Sequence, residues 1–290
     1  SDKLDAVAPP GEKPLRVALI ALAAEAWPGA ANAARSAAGF QRSMKYNTRR
    51  LPTSIGRQSV KYEVLALGSP EAGLGGYQAA VLLPEWTLML PALDAQAKAI
   101  DAFIARGGGL VVFQPNPMGV YPAGAKPPQP LAERGITSEF CTPALLPLPA
   151  TFYNGYEKFE GVKNVAGKTH PITADLADEQ MPYPADQLFS LADRYAVLAR
   201  GASSGSPCLA AATWGKGRTV LIADNVGGTT AARRQPPATV VARSLLWAAG
   251  APDEVVAAAK AEAAEVPALA FSPEPANEDG EGRADRKIID

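Results

Sequence analysis

The stretch AFIARGGGLVVFQPNPMG, residues 102–119, decides the fold. Ahead of it and into it, Leu93, Ala97, Ile100, Phe103 and Ile104 recur at the spacing of an amphipathic helix. Gly107, Gly108 and Gly109 stop that pattern, and at least one of them is expected at positive φ, where glycine closes a helix without steric cost. Leu110 to Phe113 then reads as a buried strand. A helix passed through glycine into a short apolar strand is a unit of a parallel α/β sheet. Ligands collect beyond the C-terminal ends of such strands, which makes Gln114 and Asn116 candidate ligand-binding residues. None of the four residues Gln114, Pro115, Asn116 and Pro117 is a nucleophile.

Outward from this unit the alternation continues. LRVALIAL from Leu15 reads as the first strand, residues 29–44 as a helix, YEVLAL (62–67) as the second strand and AAVLLP (79–84) as the third. Beyond the central stretch, residues 118–149 are dense in proline and glycine and read as a long loop inserted over one sheet edge. RYAVLARG and CLAAATWGKGRTVLIAD supply later strands, the last two turning at Gly215-Lys216-Gly217. PATVVARSLLWAAG reads as an amphipathic helix ending at Gly250. The expected fold is therefore α/β: a flavodoxin-like, doubly wound, mostly parallel sheet with helices on both faces and a late β-hairpin. Residues 15–250 form this domain, after a polar, Pro-rich lead (1–14) expected to be disordered. Residues 251–290 are an acidic Ala/Glu/Pro-rich tail in which 252–265 is expected to form a short helix.

Composition narrows the function classes. A chain of 290 residues with 47% hydrophobic content can bury a large core. With 28 Lys and Arg against 29 Asp and Glu, no overall basic field marks a nucleic-acid binder. The longest apolar stretch, around Ala79 to Leu93, is broken by Glu85 and two prolines and is shorter than the roughly 20 residues of a bilayer span, so no membrane span is expected. Cys141 and Cys208 fit neither a disulfide framework nor zinc spacing, whether they pair with each other stays open, and no metal or cofactor is expected. The sequence opens without a signal peptide. An extracytoplasmic location after signal removal is favoured over a cytoplasmic one, although many cytoplasmic proteins begin in the same way.

AIDAFIARGGGLVVF, KTHPITADL, AAATWGKGRTVLIAD and LLWAAG, in that order, resemble landmarks of the class I glutamine-amidotransferase-like fold, in particular its trehalose-utilisation-type (ThuA-like) branch. The resemblance covers about residues 15–250. It implies a sheet of that fold and departs from the amidotransferases themselves, which carry a cysteine on a strand-to-helix elbow and a late His-x-Glu. Here Phe113 runs into Gln-Pro-Asn-Pro, and His170, the only histidine, precedes proline. The resemblance thus implies a sheet without the glutaminase triad.

Other signals have bland alternatives. His170 is a candidate ligand-binding residue; Asp175, Asp178 and Glu179 make it a poor metal set, and the plainer role is to anchor a loop by hydrogen bonding. Gly201-Ala-Ser-Ser-Gly205 matches the letters of a nucleophile elbow, but it joins two strands and reads as a turn. Arg35, Arg42, Lys45, Arg49, Arg50, Arg57 and Lys61 fall in an acid-free window from Ala26 to Tyr62. They are candidates for binding an anion or a partner, or they are a solvated face. Two functions follow: a non-catalytic amidotransferase-like domain that binds a protein partner or self-assembles, or a carbohydrate-related enzyme of the trehalose-utilisation type with a sugar ligand.

Overall fold

A computed structural model of the protein describes residues 13–21, 51–66, 73–82, 93–113, 139–141, 150–153, 162–181, 187–191, 193–202, 205–223 and 238–261. In chain order the strands and α-helices are β1 (Leu15–Ala21), β2 (Ser54–Ile55), β3 (Gln58–Ala66), β4 (Ala79–Leu82), α1 (Leu93–Ala105), β5 (Gly109–Phe113), β6 (Glu139–Cys141), β7 (Ala150–Tyr153), β8 (Val162–Asn164), β9 (Gln187–Leu191), β10 (Ala196–Gly201), β11 (Pro207–Trp214), β12 (Gly217–Ile222), α2 (Ala238–Ala248) and α3 (Asp253–Ala258).

Nine strands form one sheet in the order β2-β3-β1-β4-β5-β12-β11-β10-β8. Its centre, β3-β1-β4-β5-β12, is parallel. Parallel strands are covered on both faces and need unbroken apolar runs. Leu15, Val17 to Ile20, Leu110 to Phe113 and Val220 to Ile222 supply them and are all buried.

The flanks differ from the mostly parallel sheet expected from the sequence. β2 pairs antiparallel with β3, and β12, β11, β10 and β8 form an antiparallel run. The physical reason is the length of the connections. Parallel neighbours need a crossover of about a dozen residues or more, whereas the turns at Gly205 and Gly215, both at positive φ, reverse the chain at once. The sheet is mixed.

Three further corrections come from short elements. The second strand begins at Gln58 rather than Tyr62, preceded by a hairpin through Gly56 and Arg57. Within the Pro-rich 118–149 region, Glu139–Cys141 is a strand, and β6-β7-β9 makes a second, antiparallel sheet. The helix expected at 29–44 and the tail beyond 261 lie outside the described residues, as do the side chains of Leu93 and Ala97.

Both long helices pack on β5 and β12. A Cβ on Gly217 would enter the backbone carbonyls of Ile104 and Gly108, and one on Gly109 would enter the backbone of Ala248. Gly107 is the residue at positive φ, at 112°, that stops α1. Its amide donates to Ile104 O at 2.9 Å, and that of Gly108 donates to Phe103 O at 3.0 Å.

Candidate functional site

The parallel strands end together at Ala21, Ala66, Leu82, Phe113 and Ile222. Gln114 and Asn116 come after Phe113 in the sequence but lie outside the described residues, as do Arg35, Arg42, Lys45, Arg49 and Arg50. The antiparallel run also reaches the edge. Ala223 N–H donates to Cys208 O at 2.9 Å, and Leu209 pairs with Ile222. Gly201 N–H donates to Ser206 O at 2.9 Å, so Gly201–Gly205 belongs to a turn between antiparallel strands.

The other edge of the sheet is built differently. After β8 the chain folds into a closed loop around Asn164, whose Nδ2 donates to Thr173 O at 3.0 Å and Leu176 O at 2.9 Å while its Oδ1 accepts Gly167 N–H at 2.8 Å. Asp178 Oδ1 accepts Asn164 N–H at 2.8 Å, and Asp175 pairs with Lys168 at 3.5 Å in solvent. The acidic residues near His170 therefore shape the loop. His170 Nδ1 accepts Ile172 N–H at 3.3 Å, and its ring lies 5.0 Å from that of Trp247. Burial pushes the His170 pKa down to about 4; the Asp253 carboxylate opposes this and the Arg218 cation adds to it. The imidazole is neutral at pH 7.

Arg218 completes this corner. Its Nη1 donates to Trp247 O at 3.0 Å and Ala251 O at 3.2 Å, and its guanidinium lies 5.0 Å from the Trp247 ring centre. Trp247 O also accepts Gly250 N–H at 3.0 Å, so Arg218 braces the turn that follows α2.

Arg218 pairs in register with Gly109, the first residue of β5, whereas Gln114 and Asn116 follow its last. His170 is thus at the opening of β5 and β12, about 13 Å of strand from Phe113 at the other end. Arg218 also pairs with Thr213, five residues along β11 from Cys208, about 17 Å. Cys208 and the one histidine are not brought together, and Cys141 ends a strand of the other sheet.

Arg57 and Lys61 are exposed on the β2–β3 hairpin. Two arrangements have no counterpart in the sequence reading. Tyr77 Oη donates to Glu63 Oε2 at 2.6 Å and Arg16 Nη2 to Glu63 Oε1 at 3.2 Å, and these contacts, Tyr77 first, lower the Glu63 pKa. Residues so far apart in the chain leave no sequence signal. Arg243 is 3% exposed and donates to Ala259 O at 2.9 Å and Ala174 O at 2.6 Å. A cation inside the apolar run of α2 was a usable signal for it. Among the described residues no group of His, Cys, Asp or Glu is placed to hold a metal, and no helix is long and apolar enough to cross a membrane.

No family model matches the chain, and no curated protein matches its sequence. Solved structures do. A cytoplasmic protein from Salmonella typhimurium is 19% identical with a TM-score of 0.40, over 66% of this chain and 81% of that one. A putative ThuA-like protein from Parabacteroides merdae is 14% identical with a TM-score of 0.42, over 82% and 91%. A second putative ThuA-like protein, from Bacteroides uniformis, is 14% identical with a TM-score of 0.36, over 89% and 98%. The chain is similar to ThuA-like proteins at low identity, a likeness too distant to speak for activity or substrate.

Proposed function

We propose that the chain is an amidotransferase-like α/β protein of the trehalose-utilisation type that acts on a carbohydrate at the C-terminal edge of its parallel strands, without a glutaminase triad. One observation carries this reading: the four motifs behind the sequence resemblance meet in a single corner. Gly108 and Gly109 from the first motif, His170 from the second, Gly217 and Arg218 from the third and Trp247 and Ala248 from the fourth touch one another there. Motifs up to about 140 positions apart that assemble into one packed unit behave as parts of one fold.

The remaining features are consistent with it. The parallel strands run second, first, third, fourth, fifth, the order of flavodoxin-like sheets. Side chains alternate along a strand, and Arg218 reaches α2 whereas the direction from Gly217 leads to α1. This supports a doubly wound arrangement with helices on both faces. Gln114 and Asn116 offer amide donors and acceptors suited to sugar hydroxyls. The only histidine is remote from Cys208, whereas nucleophilic catalysis by a thiol-histidine pair requires the two side by side. An assembly role through Arg42, Lys45, Arg49, Arg50, Arg57 and Lys61 draws no comparable support.

Calorimetric titration with a panel of disaccharides tests this reading. Binding is expected, weakened about ten-fold by Gln114→Ala or Asn116→Ala, the loss of roughly one good hydrogen bond, and unchanged by His170→Gln. Wild-type affinity in both amide variants removes the site, and failure of every sugar to bind removes the ligand class. No ammonia is expected from glutamine; release abolished by Cys208→Ser would restore the triad.

A further inference from the structure

We infer that the protein's own segment Leu4–Pro10 docks in a groove between the β2–β3 hairpin and α3. The groove has a volume of about 420 Å³ and is lined by Ile55, Gln58, Leu246, Val255 and Ala258, with Glu254 and Lys260 at its rims. That volume is in the range of pockets that enclose a ligand-sized group.

Gln58 ties the groove to its occupant. The residue is 4% exposed, and its Nε2 donates to Lys13 O at 3.1 Å, so the chain enters β1 across the groove's own wall. Immediately upstream stands Leu4-Asp-Ala-Val-Ala-Pro-Pro10. Pro10 is three residues from Lys13, about 10 Å of extended chain. The run is apolar apart from Asp5, and paired prolines favour an extended conformation that loses little entropy on docking. Short tethers give effective concentrations of about millimolar. Asp5 within the run and Glu12 after it are opposite in sign to Lys260 at the rim and to the exposed Arg57.

The second apolar run outside the described residues, Val266–Phe271, is less well directed. Thr239 Oγ1 donates to Ala261 O at 3.3 Å. That contact is seven residues, about 10 Å, along α2 from Leu246, so the chain is leaving the groove there.

The test is a disulfide trap in the full chain. Val7→Cys with Ala258→Cys is compared with Leu269→Cys with Ala258→Cys under mild oxidation, and the linked peptides are identified by mass spectrometry. A link within one molecule between positions 7 and 258, forming at least about ten-fold faster than that between 269 and 258, is expected from the tether. Faster linkage from 269, linkage between two copies, or no linkage at either pair overturns the proposal. As an independent readout, Ala258→Arg is expected to speed tryptic cleavage after Lys3 about five-fold with the melting temperature nearly unchanged, since position 258 is exposed. An unchanged cleavage rate counts against docking.

Discussion

The two edges of the central sheet are constrained by different things. Where β5 and β12 begin, backbone meets backbone: Gly109 faces Ala248, Gly217 faces Ile104, and Gly215 approaches Ala105 Cα at 2.9 Å as measured from an ideal Cβ. A single methyl group does not fit, so the sequence there is dictated by packing. Where β5 ends, Phe113 runs into amides and prolines, and the first motif of the resemblance stops there, before Gln114. The resemblance therefore records the joint that holds the sheet to its helices. The proposed carbohydrate site draws on residues on which that joint places no demand.

The contrast makes graded predictions. Gly109→Val is expected to be the most damaging, at about 3 kcal/mol or more in a denaturant titration, because it overpacks against backbone that cannot rotate away. Stability within 1 kcal/mol of wild type would break the distinction between the edges. Gly107→Val comes next, at about 1–2 kcal/mol, since φ of 112° is costly for a β-branched residue; an unchanged melting temperature would show that the helix stop lies elsewhere.

A pH effect of similar or smaller size is expected from His170. Its folded pKa is depressed to about 4, so below 6.5 the unfolded chain takes up a proton that the folded one refuses. Stability is full above pH 6.5 and declines as pH falls toward 4. The loss is about 1–2 kcal/mol after discounting an upper value of ~3 for partial exposure. Urea titrations of His170→Gln should lose that part of the slope, and a slope equal to wild type would place the titrating group elsewhere. The smallest effect is expected for Lys168→Ala, below about 0.5 kcal/mol, since its pair with Asp175 is solvated on both sides; a larger cost in the same assay would show that the loop around Asn164 depends on that charge.

What the sequence made legible follows element length. β1, β5, β11 and β12 are long apolar runs, and α1 and α2 show clear helical spacing, so their identities could be read directly. β2, β6 and β8 have two or three residues each and exist because a neighbour pairs with them. Such strands carry no period of their own. The strand Gly109–Phe113 was readable from the glycine triplet that opens it. The placement of His170 at the opening of that strand was not, because it depends on a loop closed by Asn164 and on a ring contact with a helix some 75 residues later.

The turn between β11 and β12 rests on the end of α1, where Lys216 N–H donates to Ala105 O at 3.3 Å. That contact closes a circuit of about one hundred residues with a single turn. Loop-closure entropy grows only logarithmically, by about 0.6 kcal/mol for each doubling. β8, β10 and β11 lie within that circuit and are fixed by their pairing, so chain added between the paired strands costs little loop-closure entropy while the circuit stays shut. A fold wired in this way can take on extra chain without renegotiating how it stands.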